Sequence, residues 1–214
     1  MDHAADAAAL IAAQEALGAA RPEPWHPPDR PLAIAGCFCC FERGGGRAWA
    51  AAALGADRAV VQGDARAPYQ PGLLALRELA PLAAAVRALP ATPDVVMADA
   101  TGRDHPRRAG LALHLGAELD LPTVGVTHRP LLARGDWPGL ERGARAPLLL
   151  DDDEVGAWLR VRRGARPLAV HAAWRTDPDA AVNVVLAAAG RVRTPTPLRA
   201  ARHAARSARA RAGG

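Results

Sequence analysis

Apolar positions along this chain fall into two kinds of stretch: short continuous or alternating runs, and longer ones at helical spacing. Residues 31–41 and 47–54 read as strands around "ERGGGR", a turn whose glycines accept positive φ. "RAVVQG", 58–63, predicts a third strand and completes a meander. The pattern then changes. "PGLLALREL" and "PLAAAVRAL" predict two helical pieces, with Pro81 suited to the first turn of the second. "DVVMAD", 94–99, and "LPTVGVT", 121–127, are short apolar runs of the kind that form buried strands. Between them "HPRRAGLALHLGAEL", 105–119, predicts a helix with Pro106 at its start. Residues 148–161 and 166–171 add further candidate strands, and 5–18, 179–189 and 197–211 are helical.

A three-strand antiparallel meander followed by helix, strand, helix, strand gives an α/β chain with a mixed sheet flanked by helices. That order suits a ribonuclease-H-like core. Residues 1–30 form an N-terminal helix and proline-rich lead, and 31–211 a single domain ending in a basic helix. No run approaches eighteen uninterrupted apolar residues, so no membrane span is expected. The first residues carry Asp2, Asp6 and Glu15 and no basic n-region, which argues against a signal peptide and for a cytoplasmic protein.

The net charge of +5 comes from 27 basic residues, all arginine. Their distribution matters more than their number. After Asp179 there is no acidic residue, while Arg191, Arg193, Arg199, Arg202, Arg206, Arg209 and Arg211 follow. Such a block is either a solvated tail or a phosphate-binding surface. The three cysteines, Cys37, Cys39 and Cys40, lack CxxC spacing and paired histidines, so they read as small buried hydrophobes.

Candidate chemistry gathers at strand ends. Asp99 closes a buried strand before a loop, where ligands of α/β sheets collect, although taken alone it reads first as a cap of the following turn. Glu78 sits among apolar residues of a helix and matters if the fold brings it beside Asp99. Two close carboxylates repel, and a bound Mg²⁺ relieves that while positioning a phosphodiester and a water. Tyr69, the only tyrosine, lies between Pro68 and Pro71 and is either a ring to wedge between bases or a plug at a loop base. His105, Arg107 and Arg108 would favour phosphate at a helix start. His128 follows a buried strand at the same sheet edge as Asp99.

"PYQPGLLALRE" resembles the PY-x-PG-L-x-x-RE block of the endonuclease V family, and "PDVVMADATGRDHPRRAGLALHLGAELDLPTVGVTHRPL" resembles its most distinctive block. "TPTPLRAARHAA" is similar to the family's last helix. The resemblance implies a ribonuclease-H-like fold, Mg²⁺ (or Mn²⁺), and cleavage of the second phosphodiester 3′ to inosine in DNA or RNA; a monomer is expected. By the same resemblance Glu78 and Asp99 are the catalytic, metal-site carboxylates, and Tyr69 is the wedge, on a loop that includes Gly72. His105, Arg107, Arg108 and His128 contact nucleic acid, His128 standing where the family has lysine.

Beyond His128, two further departures stand out. The family's first strand reads G-V-D-V, whereas this one reads Gly36-Cys37-Phe38-Cys39, so Phe38 takes the place of the leading metal aspartate. A late active-site histidine falls on Trp174, in the stretch that begins at His171. Asp104 and His171 are the residues that could compensate. Weak metal binding is therefore expected, and two functions stay open: an inosine-directed endonuclease, or a catalytically inactive nucleic-acid-binding protein of the same family. A fold kept only for a protein partner is a third.

Overall fold

The computed structural model describes residues 3–65 and 69–213. In chain order the elements are α1 (His3–Ala19), β1 (Ile34–Phe41), β2 (Arg47–Leu54), β3 (Asp57–Asp64), α2 (Ala75–Arg87), β4 (Val95–Ala98), α3 (Leu111–Leu119) and β5 (Thr123–Thr127). They continue with β6 (Arg145–Leu150), β7 (Asp153–Leu159), β8 (Leu168–Ala172), α4 (Pro178–Ala187) and α5 (Thr196–Ala212). The strands form one sheet ordered β3-β2-β1-β4-β5-β8-β7-β6. Its centre, β1-β4-β5, is parallel, and every other pairing is antiparallel. The mixed, ribonuclease-H-like sheet expected from the element order is the fold observed. No helix among the described residues is long and apolar enough to cross a membrane.

Each face of the sheet has its own cover. Cys37, Cys39 and Ala98 pack with Leu82 and Val86 of α2 and Leu113 and Leu115 of α3. On the opposite face Met97, Val124 and Val126 pack with Val182 and Val185 of α4 and Leu198 of α5. Phe38, Cys40 and Trp49 meet Ala204, Ala205 and Ala208 of α5 there. Strand alternation thus sends Cys37 and Cys39 one way and Cys40 the other. Burial raises the pKa of all three thiols, so they act as small apolar side chains. Helix α5 comes very close to β1 because residue 36 is glycine: a Cβ there would collide with the backbone of Pro197 and Leu198.

Three element boundaries differ from the sequence expectation. The two helical pieces around Pro81 are one helix, α2, with Pro81 inside it. Proline removes one backbone bond, and burial of Leu82, Ala83, Ala85 and Val86 on the next turns offsets that loss. The helix expected from His105 begins only at Leu111. Arg108 takes a φ of 55°, and Gly110 lies where a Cβ would strike Thr101, so 105–110 fold as a turn. Residues 148–161 belong to two strands of a hairpin, because Asp151 turns the chain at a φ of 54°.

The proline-rich lead is tied to the sheet. The Trp25 N–H donates to the Arg175 carbonyl at 2.8 Å. Arg30 pairs with Asp94, whose Oδ2 also accepts from the Ala33 N–H at 2.8 Å.

Candidate active site and nucleic-acid cleft

Register fixes the centre of the cleft. In the parallel pair β1–β4, Cys37 lies opposite Ala98, so Phe38 lies beside Asp99 with both side chains on the α5 face. Glu78, in the first turn of α2, lines a cavity of about 100 Å³ with Cys37, Phe38 and Asp99. The fold therefore brings the two expected carboxylates to one cavity. Burial, and then the nearby Asp99 charge, push the Glu78 carboxyl up to about 7 against the opposing pull of Arg77. Glu78 consequently carries a proton part of the time at neutral pH.

Asp99 already has a cation. Its Oδ2 accepts a 2.6 Å hydrogen bond from Nη2 of Arg202 on α5. The Phe38 ring lies beneath that guanidinium, 5.3 Å from its carbon to the ring centroid, and beneath Arg206 at 5.5 Å. Sequence reading grouped Arg202 with the basic block and missed this role. Arginines at 199, 202, 206 and 209 share one helix face, but nothing local links them to a residue 103 positions away.

Beside this cavity lies a second pocket, about 220 Å³, lined by residues that include Tyr69, Gly72, Asp99, His105, Thr127 and Leu131. Tyr69 stands at it with 64% of its surface exposed. Pro68, expected to stiffen this loop, lies outside the described residues. Gly72 holds a φ of 76°, a conformation that glycine adopts without cost. Its carbonyl accepts from Gln14 Nε2 at 2.9 Å, His105 Nε2 at 3.1 Å and Arg107 Nη2 at 3.2 Å. Gln14 closes the cluster by accepting from Arg107 Nε at 2.6 Å.

The histidine tautomer follows from these bonds. His105 Nδ1 accepts from the Arg107 N–H at 3.3 Å, which leaves the ring proton on Nε2 to donate to Gly72. Burial lowers its pKa and keeps it neutral. His105 and Arg107 thus brace the tyrosine loop from behind. Arg108 faces away, donating to the Leu150 carbonyl at 3.0 Å and pairing with Asp151 and Asp153. His128, directly after β5, is exposed, and its pKa is lowered by desolvation and by Arg193 against the pull of Asp99. Gln14, buried on α1, was also missed. A lone glutamine in an alanine-rich helix carries no signal of its partners.

Three neighbours do not rebuild the missing ligand. Asp104, a possible third charge, is fully buried, with its carboxylate accepting from the N–H groups of Leu131, Leu132 and Ala133 at 2.6 to 2.8 Å. His171 is fully buried too, with Nε2 bonded to Thr127 Oγ1 at 2.8 Å and Nδ1 3.7 Å from Asp104. Burial pushes its pKa down to about 4. The Trp174 backbone N–H donates to Thr123 Oγ1 at the start of β5, the end of the sheet opposite the one that carries Asp99. Because β8 runs antiparallel to β5, the segment after it leads away from the cleft.

Mg²⁺ demands an octahedral set of hard oxygen ligands. Phe38 supplies none, and Asp99 is shared with Arg202, so Glu78 is the one carboxylate lining this cavity without an arginine bound to it. Among the described residues no three His, Cys, Asp or Glu side chains are grouped to hold a metal. This donor set does not fit a resident Mg²⁺ or Mn²⁺.

A family model described as Endonuclease V matches residues 45–203. The chain belongs to the endonuclease V family. The match begins after β1, so the strand that carries Phe38 lies outside it. Endonuclease V of Streptomyces avermitilis is 43% identical over 143 residues, covering 67% of this chain and 62% of that protein. The matched stretch is thus under two thirds of this relative's length. Its crystal structure superimposes with a TM-score of 0.87 at 36% identity, covering 95% of this chain and 93% of that one. Endonuclease V of Azotobacter vinelandii is 40% identical over 181 residues, 81% of each chain. Ciona intestinalis endonuclease V, in complex with a 24mer DNA containing an inosine followed by a ribo-adenosine, shares the fold at a TM-score of 0.81. At 17% identity it covers 96% of this chain and 98% of that one.

Proposed function

We propose that this chain recognises inosine-bearing nucleic acid in the manner of an endonuclease V, and that it cuts the strand weakly or not at all. One contrast carries the reading: an exposed tyrosine on a braced loop opens onto a pocket, while the adjoining carboxylate site has a phenylalanine and an arginine around Asp99.

In this reading Tyr69 enters the gap left when a base is extruded, and the base enters the 220 Å³ pocket. Inosine in the Ciona complex supports that choice of base, and its ribo-adenosine neighbour supports a cleft open to both sugars. The arginine face of α5 follows the phosphates. Metal-assisted hydrolysis needs a cation oriented as well as present, and the donors around Asp99 do not meet that need. A second reading, residual metal-dependent cutting, draws support from Glu78 and Asp99 sharing one cavity.

Competition between inosine-bearing and matched adenosine-bearing strands tests the recognition. The unaltered protein is expected to prefer inosine, and Tyr69→Ala to lose about 1–3 kcal/mol of binding, the worth of one stacked base. Equal affinity for both strands, unmoved by Tyr69→Ala, would overturn it.

A further inference from the structure

A divalent ion in this cleft would neutralise the carboxylates and give the substrate's phosphate a cation to lean on. The structure contains another group that does both. Arg202 reaches Asp99 at 2.6 Å with Nη2, its side chain is about one quarter exposed, and its Nε has no hydrogen-bond partner among the described residues. Phe38, where the resemblance expects an aspartate, offers the guanidinium an aromatic face in place of a second carboxylate. Arg206 lies on the same ring and is itself exposed. No acidic residue follows Asp179, so α5 brings no carboxylate of its own to compete for these guanidiniums.

We propose that the Arg202 guanidinium stands permanently in the cation position of the cleft, and that with Arg206 it takes a phosphodiester of the bound strand without any divalent metal. The inference rests on the reading of the cleft as an inosine-directed nucleic-acid site. A guanidinium is suited to this exchange because its planar fork presents several N–H donors at once, to a carboxylate on one edge and a phosphate on another. Phe38 and Arg202 then form a matched pair. The ring removes the ligand that would hold a metal, and the arginine supplies the charge that the metal would have brought.

This pairing has a consequence for reversion. Phe38→Asp alone puts a second carboxylate beside Arg202, which then bridges both and still excludes a metal. Phe38→Asp with Arg202→Ala reopens the site fully, and Arg202→Ala alone reopens it in part, through the two carboxylates Asp99 and Glu78.

The test joins two measurements on the full chain. Mn²⁺ uptake is read from the loss of the free-ion electron paramagnetic resonance signal. Strand binding is read by fluorescence anisotropy on inosine-bearing and control oligonucleotides, DNA and RNA in separate arms, with EDTA or with Mg²⁺ over a salt series. The unaltered protein and Phe38→Asp are expected to take up no Mn²⁺, and the double variant to take up about one equivalent. Should the double variant not fold, Arg202→Ala alone is read, with Mn²⁺ uptake above that of the unaltered protein expected. Strand affinity of the unaltered protein is expected to be the same within about twofold in EDTA and Mg²⁺, and Arg202→Ala to lower the salt slope by about 1.

Loss of strand binding in EDTA overturns the proposal. So does Mn²⁺ uptake by the unaltered protein that Asp99→Asn abolishes. Binding that ignores both EDTA and inosine, yet depends on Arg202, defeats the proposed base recognition and leaves the arginine site standing. Absence of binding to every strand defeats both.

Discussion

The two halves of this cleft meet at Asp99 and differ in how completely they are built. On the recognition side one carbonyl, that of Gly72, is gripped by Gln14, His105 and Arg107, and Gln14 and Arg107 also grip each other. On the cation side a carboxylate position is a phenylalanine, another carboxylate is bound by arginine, and the third is driven toward its neutral form. A fully satisfied polar network rigidifies the segment it holds. The proposed function rests on that difference, assigning recognition to the first half and the loss of hydrolysis to the second.

The largest break in that contrast is expected at Asp104. Its carboxylate holds the N–H groups of 131–133, and Leu131 lines the base pocket. Asp104→Asn turns an amide donor toward those donors, and should cost about 2–4 kcal/mol in chemical unfolding. A stability unchanged by this substitution would mean that the loop is held by something else.

Tyr69→Ala, with its loss of binding set out above, should leave the melting temperature alone because the ring is exposed. A drop in Tm would make the ring a plug of the loop base.

Glu78 predicts a gain. Its folded pKa is raised, so the stability it contributes is complete below its unfolded value near 4.5 and is lost as pH rises through about 7. Glu78→Gln should therefore match the unaltered protein at pH 5 and exceed it by about 1–3 kcal/mol at pH 8. Equal stability across that range would remove the case for a buried, part-protonated carboxyl. The smallest effect is expected for Gln14→Ala, about 1 kcal/mol, with faster amide exchange in the Tyr69 loop as its signature. If exchange there stays unchanged, the brace is idle.

Much of the scaffold was legible because periodicity reports burial locally. The meander, the strands near 94–99 and 121–127, and the helices at both ends of the chain follow from it. The boundaries that failed, at Pro81, at His105–Gly110 and at Asp151, each depend on tertiary burial or on a positive φ that the residue type does not announce. Within the site, motif resemblance picked out Glu78, Asp99 and Tyr69, which the fold brings to adjoining pockets. It could not show that His105 and Arg107 point at Gly72, or that Arg108 serves the β6–β7 turn, since a motif records residue types and not directions. Arg202 was invisible for a different reason. Its meaning lies in a partner on another element, and one arginine among seven looks like the rest.

The central claim is that recognition persists where hydrolysis has been lost. Its most direct test is a single titration of a labelled inosine-bearing strand with Mg²⁺ present, in which binding and nicking are read from the same samples. The account predicts saturable, inosine-preferring binding with no nicking above the protein-free control. Inosine-dependent nicking that tracks occupancy would contradict it, and would mean that Glu78 and Asp99 suffice despite Phe38 and Arg202.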